Sequence, residues 1–268
     1  EILPVPERLG VIGATGHGSL VHTAAFVENM IRNREAEPQP ANFIYSVHNA
    51  ASTQVALSLQ ARGYNLTITH DHNCFEQALQ AAARRLSAGC EDRLLVLGAD
   101  EYQPVMYAAQ KRFGFWRRRR GKALFPGEGA AAMWLGPATP DRPLVADVQW
   151  DVAAVLGSPA EEAARLTRAL EAVQLTWTQV SQVLVGLSPA DEFTPAVFSE
   201  WRTATGRSLT PYLEHTGFFP TASATALVLG AVQAEADSGK KKNNQDRNAV
   251  LLYNRSQVET RSWVILKI

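Results

Sequence analysis

Between residues 65 and 99 the hydrophobic pattern changes period twice, and this constrains the fold more than any other feature of the chain. Asn65–Thr69 (NLTIT) alternates polar and apolar residues, the period of a strand. Phe75, Leu79, Ala82 and Leu86 then recur at helical spacing, and Gly89 stands where a helix stops. Asn73, with Glu76 three residues on, predicts a capping box at the start of that helix. Residues 93–98 (RLLVLG) form a continuous apolar run, suited to a strand buried on both faces. Strand–helix alternation of this kind implies a mainly parallel sheet with helices on its faces.

The same rhythm extends in both directions. Residues 9–14 (LGVIGA) read as a buried strand, and residues 22–33 as a helix carrying Ala25, Val27 and Ile31. Residues 35–40 form a polar, proline-containing loop. Residues 50–62 read as a helix stopped by Gly63, and residues 130–135 as a strand. In the second half, strands are expected at 144–152, 180–187, 250–253 and 262–266, and helices at 161–173, 194–205 and 222–236. Residues 239–247 (GKKKNNQDR) read as a solvated loop. The chain is thus expected to be α/β, with two related halves, 1–136 and 137–268, in one compact unit and mainly parallel sheets. Identity between the halves is too weak to establish a repeat from sequence.

Hydrophobic residues make up 46% of the 268 residues and charged residues 19%, enough for a sizeable core. Lys plus Arg is 26 and Asp plus Glu is 26, so no global charge draws the chain to nucleic acid or a membrane surface. Cys74 and Cys90 read as reduced thiols, since no secretory leader is visible. The longest apolar runs, such as residues 94–97, are far too short to cross a bilayer. A soluble, cytoplasmic protein without membrane insertion is expected.

Four segments in order resemble a β-ketoacyl synthase. The run from residue 65 to 99 ends, as in that family, in an apolar strand (LLVLGA). Gly127-Glu128-Gly129-Ala130, followed by AAMWL, resembles the family's GEGA turn and strand. Thr216-Gly217, with Ala222-Ser223-Ala224 leading into a helix, resembles its TGH turn. Asn254-Arg255-Ser256 before the last apolar strand resembles its terminal Asn-Ser-Phe segment. The resemblance covers most of the chain and implies the thiolase-like fold. In that fold a cysteine on a strand-to-helix elbow attacks the acyl group. The helix N-terminus favours its thiolate, and two histidines support decarboxylation and bind the developing charge.

The residues that do this chemistry are replaced here. Aligned on Gly89 without gaps, His72 falls where the family has its nucleophilic cysteine. Ser188, within Leu187-Ser188-Pro189, stands near the position of the first catalytic histidine. Phe218 replaces the histidine of TGH, and Leu213 the lysine five residues before it. The resemblance therefore implies no catalytic residue and a subunit of the chain-length-factor kind, which pairs with an active ketosynthase to form an acyl tunnel. The SVHNAA segment before the helix is most like those of aryl-polyene and related highly reducing type II polyketide systems. The implied partners are that ketosynthase, as a heterodimer, and an acyl carrier protein. An atypical condensing enzyme or acyl-carrier-protein decarboxylase using Cys74 or His72 is the alternative, and a free-standing binding protein of this fold is a third. Cys74 is the fallback nucleophile, two residues past the matched position and in the first helical turn, where the dipole would lower its pKa.

His48, Asn49, Ala50, Thr67, Thr69 and Phe75 are expected at the acyl tunnel or subunit interface, as the resemblance implies. A polar helix cap is the plainer reading of His48 and Asn49. Arg117, Arg118, Arg119 and Arg120 form a basic cluster beside Lys111, Arg112 and Lys122. It suits an exposed loop, or contact with an acidic carrier protein or the partner, better than nucleic acid. His70 and His72 share a strand face beside Asp71, but no further ligand follows at a zinc-like spacing, so no metal is expected. Gly127 and Gly129 belong to no phosphate-loop motif, and no cofactor is expected.

Overall fold

The computed structural model describes residues 5–114, 116, 125–140, 142–152, 157–187, 195–238, 249–255 and 260–268. Two compact units divide the chain. One comprises Glu1–Phe115, Pro126–Pro137 and Phe218–Ala224, the other Trp116–Phe125, Ala138–Gly217 and Thr225–Ile268.

In the first unit, β1 (Leu9–Thr15) is buried along its whole length. It runs parallel to β2 (Asn65–Thr69) and β3 (Arg93–Asp100), and β4 (Gly129–Leu135) closes the order β2-β1-β3-β4 antiparallel to β3. Side chains alternate across such a sheet. Val11, Leu95 and Leu97 pack with Ala56 of α3 (Ala50–Ser58) on one face. On the other face α4 (Cys74–Ser87) lays down the buried residues Cys74, Phe75, Ala78, Leu79 and Ala82, the helical stripe read in the sequence. The remaining helices of this unit are α1 (Leu20–Arg32), α2 (Pro40–Ser46) and α5 (Pro104–Arg112).

Local details depart from the sequence reading for physical reasons. The predicted capping box at Asn73 is absent: Asn73 takes a left-handed φ of 59° and its side chain makes no cap bond. α3 stops at Ser58, earlier than expected. Gln60 turns left-handed at φ 54°, and the Ala61 N–H closes onto Ala56 O at 2.9 Å. Gly63 is required instead by close approach, since a Cβ there would lie 2.8 Å from the Leu9 carbonyl oxygen. Of the helices missed in the sequence, α2 and α5 both begin on a proline in their first turn, where its missing N–H costs nothing.

The second unit contains β5 (Leu144–Val152), α6 (Pro159–Ala172), β6 (Val180–Leu187), α7 (Pro195–Thr205), β7 (Leu209–Pro211), α8 (Leu213–Thr216), most of α9 (Ala222–Ser238), β8 (Ala249–Arg255) and β9 (Thr260–Lys267). A Ser158/Glu161 capping box starts α6. The sheet order is β5-β9-β8-β6-β7, with β6 parallel to β7 and β8, and β9 antiparallel to β8 and β5. Its segment β7-β6-β8-β9 repeats the order and sense of β2-β1-β3-β4. The duplication is therefore plain in topology where sequence identity did not show it. Leu166, Leu170, Val183, Trp201, Leu251 and Ile265 build the core. Beside it Glu162, buried, accepts from Arg261 Nη1 at 2.8 Å and from the Tyr253 hydroxyl at 3.0 Å. Burial first, then the Glu162 charge, pushes the Tyr253 pKa far up.

Candidate functional site

The site lies in the first unit, where β2 turns into α4. The backbone of residues 70–73 makes the elbow. His70 Nδ1 sits against the carbonyl of His72 and 3.1 Å from the His72 N–H. The His72 ring stands edge-on to Phe218 with centroids 6.3 Å apart. Two positions that the resemblance singled out, His72 and Phe218, are thus brought together as an imidazole and an apolar ring. Burial lowers the His72 pKa, Asp71 opposes that, and His70 and His17 add to it.

The segment that carries Phe218 is tied down at Thr221 by Asp100, at the end of β3. Its buried carboxylate accepts from Thr15 Oγ1 (2.7 Å), Gly16 N–H (2.9 Å), His17 N–H (2.9 Å), Thr221 N–H (3.1 Å) and Thr221 Oγ1 (2.9 Å). One side chain thereby ties the end of β1 to the segment that carries Phe218. Sequence reading missed Asp100. The signal was there, an acid terminating an apolar strand.

Cys74 corrects an expectation. It does occupy the first position of α4, and backbone N–H groups there do lower its pKa. They are outweighed by burial, then by the charges of Asp100 and Glu76, which together push the thiol well above 9.0. Its Sγ is fully enclosed, 4.0 Å from the Pro220 carbonyl oxygen. The fallback nucleophile is a neutral, buried thiol.

On the α3 face of the same sheet lies a cavity of about 530 Å³, within the usual range for small-molecule sites. Its walls include Ala50 and Ala51 of α3, His48, Leu97, Ala130 and Thr67 of β2. Small and apolar residues dominate, while Asp100, Glu101 and Glu128 add carboxylates. Thr67 Oγ1 and Ser52 Oγ lie 2.6 Å apart on its wall. Three of the expected tunnel residues, His48, Ala50 and Thr67, therefore share this cavity. The other three do not line it. Asn49 is the α3 N-cap residue without a side-chain cap bond, Thr69 is exposed at the end of β2, and Phe75 is buried under Gly98. Glu101, His22 and Tyr45, which also line the cavity, were not singled out by sequence. They lie far apart in the chain, and nothing in local pattern joins them.

β2 is an edge strand. The Val11 N–H bonds Tyr64 O and the His70 N–H bonds Thr15 O, so the even-numbered residues of the strand face β1. The N–H and C=O groups of Asn65, Thr67 and Thr69 then point to the open edge.

Leu213, also singled out by the resemblance, is buried at the start of α8 in the second unit. Ser188 and the arginines Arg117, Arg118, Arg119 and Arg120 lie outside the described residues. Among the described residues no cluster of His, Cys, Asp and Glu could hold a metal ion, and no helix is long and apolar enough to cross a membrane.

Comparison with known proteins agrees with this geometry. Residues 5–120 match the family described as "Beta-ketoacyl synthase, N-terminal domain". A search of the curated proteins gave no match. Among solved structures, the ishigamide ketosynthase/chain length factor superposes with a TM-score of 0.73 at 21% identity, over 99% of this chain and 74% of that one. A β-ketoacyl synthase from Burkholderia phymatum gives a TM-score of 0.75 at 15% identity, over 97% of this chain and 75% of its own. The complex AntDE:AntF, described as a type II polyketide acyl-carrier protein with its ketosynthase, gives 0.72 at 14% identity, over 98% and 76%. The chain has the thiolase-like fold of the ketosynthases, with mixed sheets in two topologically related units.

Proposed function

We propose that this chain is a non-condensing, chain-length-factor subunit that pairs with an active ketosynthase in the cytoplasm and shapes the acyl tunnel during polyketide or fatty-acyl extension. The observation that carries the reading is a contrast within one unit. The elbow holds His72 against Phe218 and a neutral, enclosed Cys74, while a cavity of about 530 Å³ stays open on the other face of the sheet. A condensing site needs a thiolate and a stabilised oxyanion. An acyl site needs apolar volume.

Two further observations support the parts of the proposal. The outward-facing amides of Asn65, Thr67 and Thr69 suit pairing with a strand of the ketosynthase, giving a heterodimer. The growing chain would arrive on an acyl carrier protein, which we assign to the complex because ketosynthase-type extension delivers its substrate that way. Among products, we favour an aryl-polyene type, on the strength of the segment around His48 that shapes the cavity.

The test is co-expression with the cognate ketosynthase, single-tag purification and extension from a malonyl-loaded carrier protein. The expected outcome is a stable heterodimer that condenses, with no label on this chain. Ala51→Trp, which fills the cavity, should shorten the product while the complex stays assembled. Acyl label on Cys74, or decarboxylation by this chain alone that is lost in His72→Ala, would show an enzyme instead.

A further inference from the structure

One side of the cavity is walled by a part of the molecule that is weakly held to the body. From residue 16 to residue 51 not one side chain is buried, although the stretch includes Leu20, Phe26, Met30, Phe43, Ile44 and Tyr45. Its helices α1 and α2 hold to each other. His22 packs on Tyr45 (5.4 Å) and Phe26 on Phe43 (5.5 Å), and Thr23 Oγ1 donates to Ser46 O at 3.3 Å. Asn29 Oδ1, enclosed on α1, has no donor among the described residues, which lowers the stability of this arrangement. Few buried contacts mark a segment that opens at low free-energy cost.

The two stems of this hairpin meet over the cavity. Gly18 precedes α1 with φ 63°, and a Cβ there would lie 2.9 Å from the His48 ring, which follows α2. Gly18, Ser19 and His22 on one stem and Tyr45, Val47 and His48 on the other all line the cavity. Ser19, the N-cap residue of α1, makes no side-chain cap bond. That role is taken by Glu101, whose Oε1 accepts from the Val21 N–H at 2.7 Å. Glu101 follows β3 directly and itself lines the cavity, so one carboxylate joins the body, the cavity wall and the hairpin.

We propose that the α1–α2 hairpin is a hinged lid over the acyl cavity, pivoting at Gly18 and His48 and latched by Glu101. The proposal rests on the acyl reading of the cavity and adds the route by which a chain enters it. An incoming apolar chain displaces His22 and Tyr45 from the cavity, and the lid closes again over the chain. Glu101 is a positioning residue here, since it acts through the first turn of α1.

Two measurements on the full chain test this, with N-phenyl-1-naphthylamine as a neutral apolar probe of the cavity. In hydrogen exchange, amides of residues 20–46 should exchange at least about tenfold faster than those of α4. Glu101→Ala should speed exchange in the first turn of α1 by about fivefold and raise the stopped-flow probe entry rate by a similar factor. Glu101→Gln keeps the acceptor and should stay within about twofold of the parent in both. Protection of residues 20–46 equal to that of α4, or a Glu101→Ala variant unchanged in both exchange and entry, overturns the lid. If the probe binds but Ala51→Trp fails to exclude it, the cavity reading falls, and the exchange data decide the lid separately.

Discussion

Cys74 is the residue on which an enzyme and a partner subunit differ most, so its replacement by alanine is the most informative perturbation. The side chain is fully enclosed, and burial, Asp100 and Glu76 hold its pKa well above the ordinary 9.0. Replacement removes one sulfur and leaves a small void, at a cost of about 1 kcal/mol. The pH dependence is the more specific signature. A raised pKa in the folded state means that the folded chain keeps a proton which the unfolded chain releases. Its contribution is therefore fully present below the unfolded thiol pKa and is lost as pH rises through the window above it. The loss has a limiting slope of about 1.4 kcal/mol per pH unit. Urea unfolding of the parent between pH 8 and 10 should show that loss, and Cys74→Ala should remove roughly 1 kcal/mol of it by the upper end. Tyr253 is common to parent and variant, so the comparison between them isolates the thiol. In parallel, Ellman's reagent should titrate the exposed Cys90 quickly in the native chain and Cys74 only after unfolding. Rapid modification of both thiols, or an identical pH slope in the variant, would refute the reasoning. So would loss of condensation by an assembled complex carrying the variant.

Two further outcomes are expected. Thr67→Pro should leave the isolated fold intact, because the lost N–H faces the open edge, yet it should abolish co-purification with the ketosynthase; Thr67→Val, which loses only the hydroxyl contact to Ser52, should retain it. In the second unit, Glu162→Gln leaves Arg261 buried with a weakened partner and should destabilise that unit by about 3 kcal/mol, read as a lower midpoint in thermal unfolding.

The strands and long helices were legible because their patterns are local. NLTIT, the stripe through Phe75 and Leu79, and RLLVLG each carry a period that only one kind of element satisfies. The short helix α2 was not legible, since seven residues are too few to display a helical period and its proline reads equally as a loop. The capping box failed at Asn73 for a related reason. The elbow demands a left-handed residue at that point, and this requirement overrides the side-chain cap.

The candidate site divides along the same line. From sequence alone came the fold class and the strand-to-helix elbow. Each of these depends on order along the chain, which a sequence states directly. Whether Cys74 could serve as a nucleophile depended on what surrounds it: its place at a helix start argued for a lowered pKa, and enclosure by the core reversed the sign. The hub at Asp100 and the cavity under α1 and α2 likewise join residues more than a hundred positions apart, as Asp100 and Thr221 show. Desolvation and cavity volume belong to no residue by itself. They arise when distant segments close around a point, and so only the tertiary structure decided them.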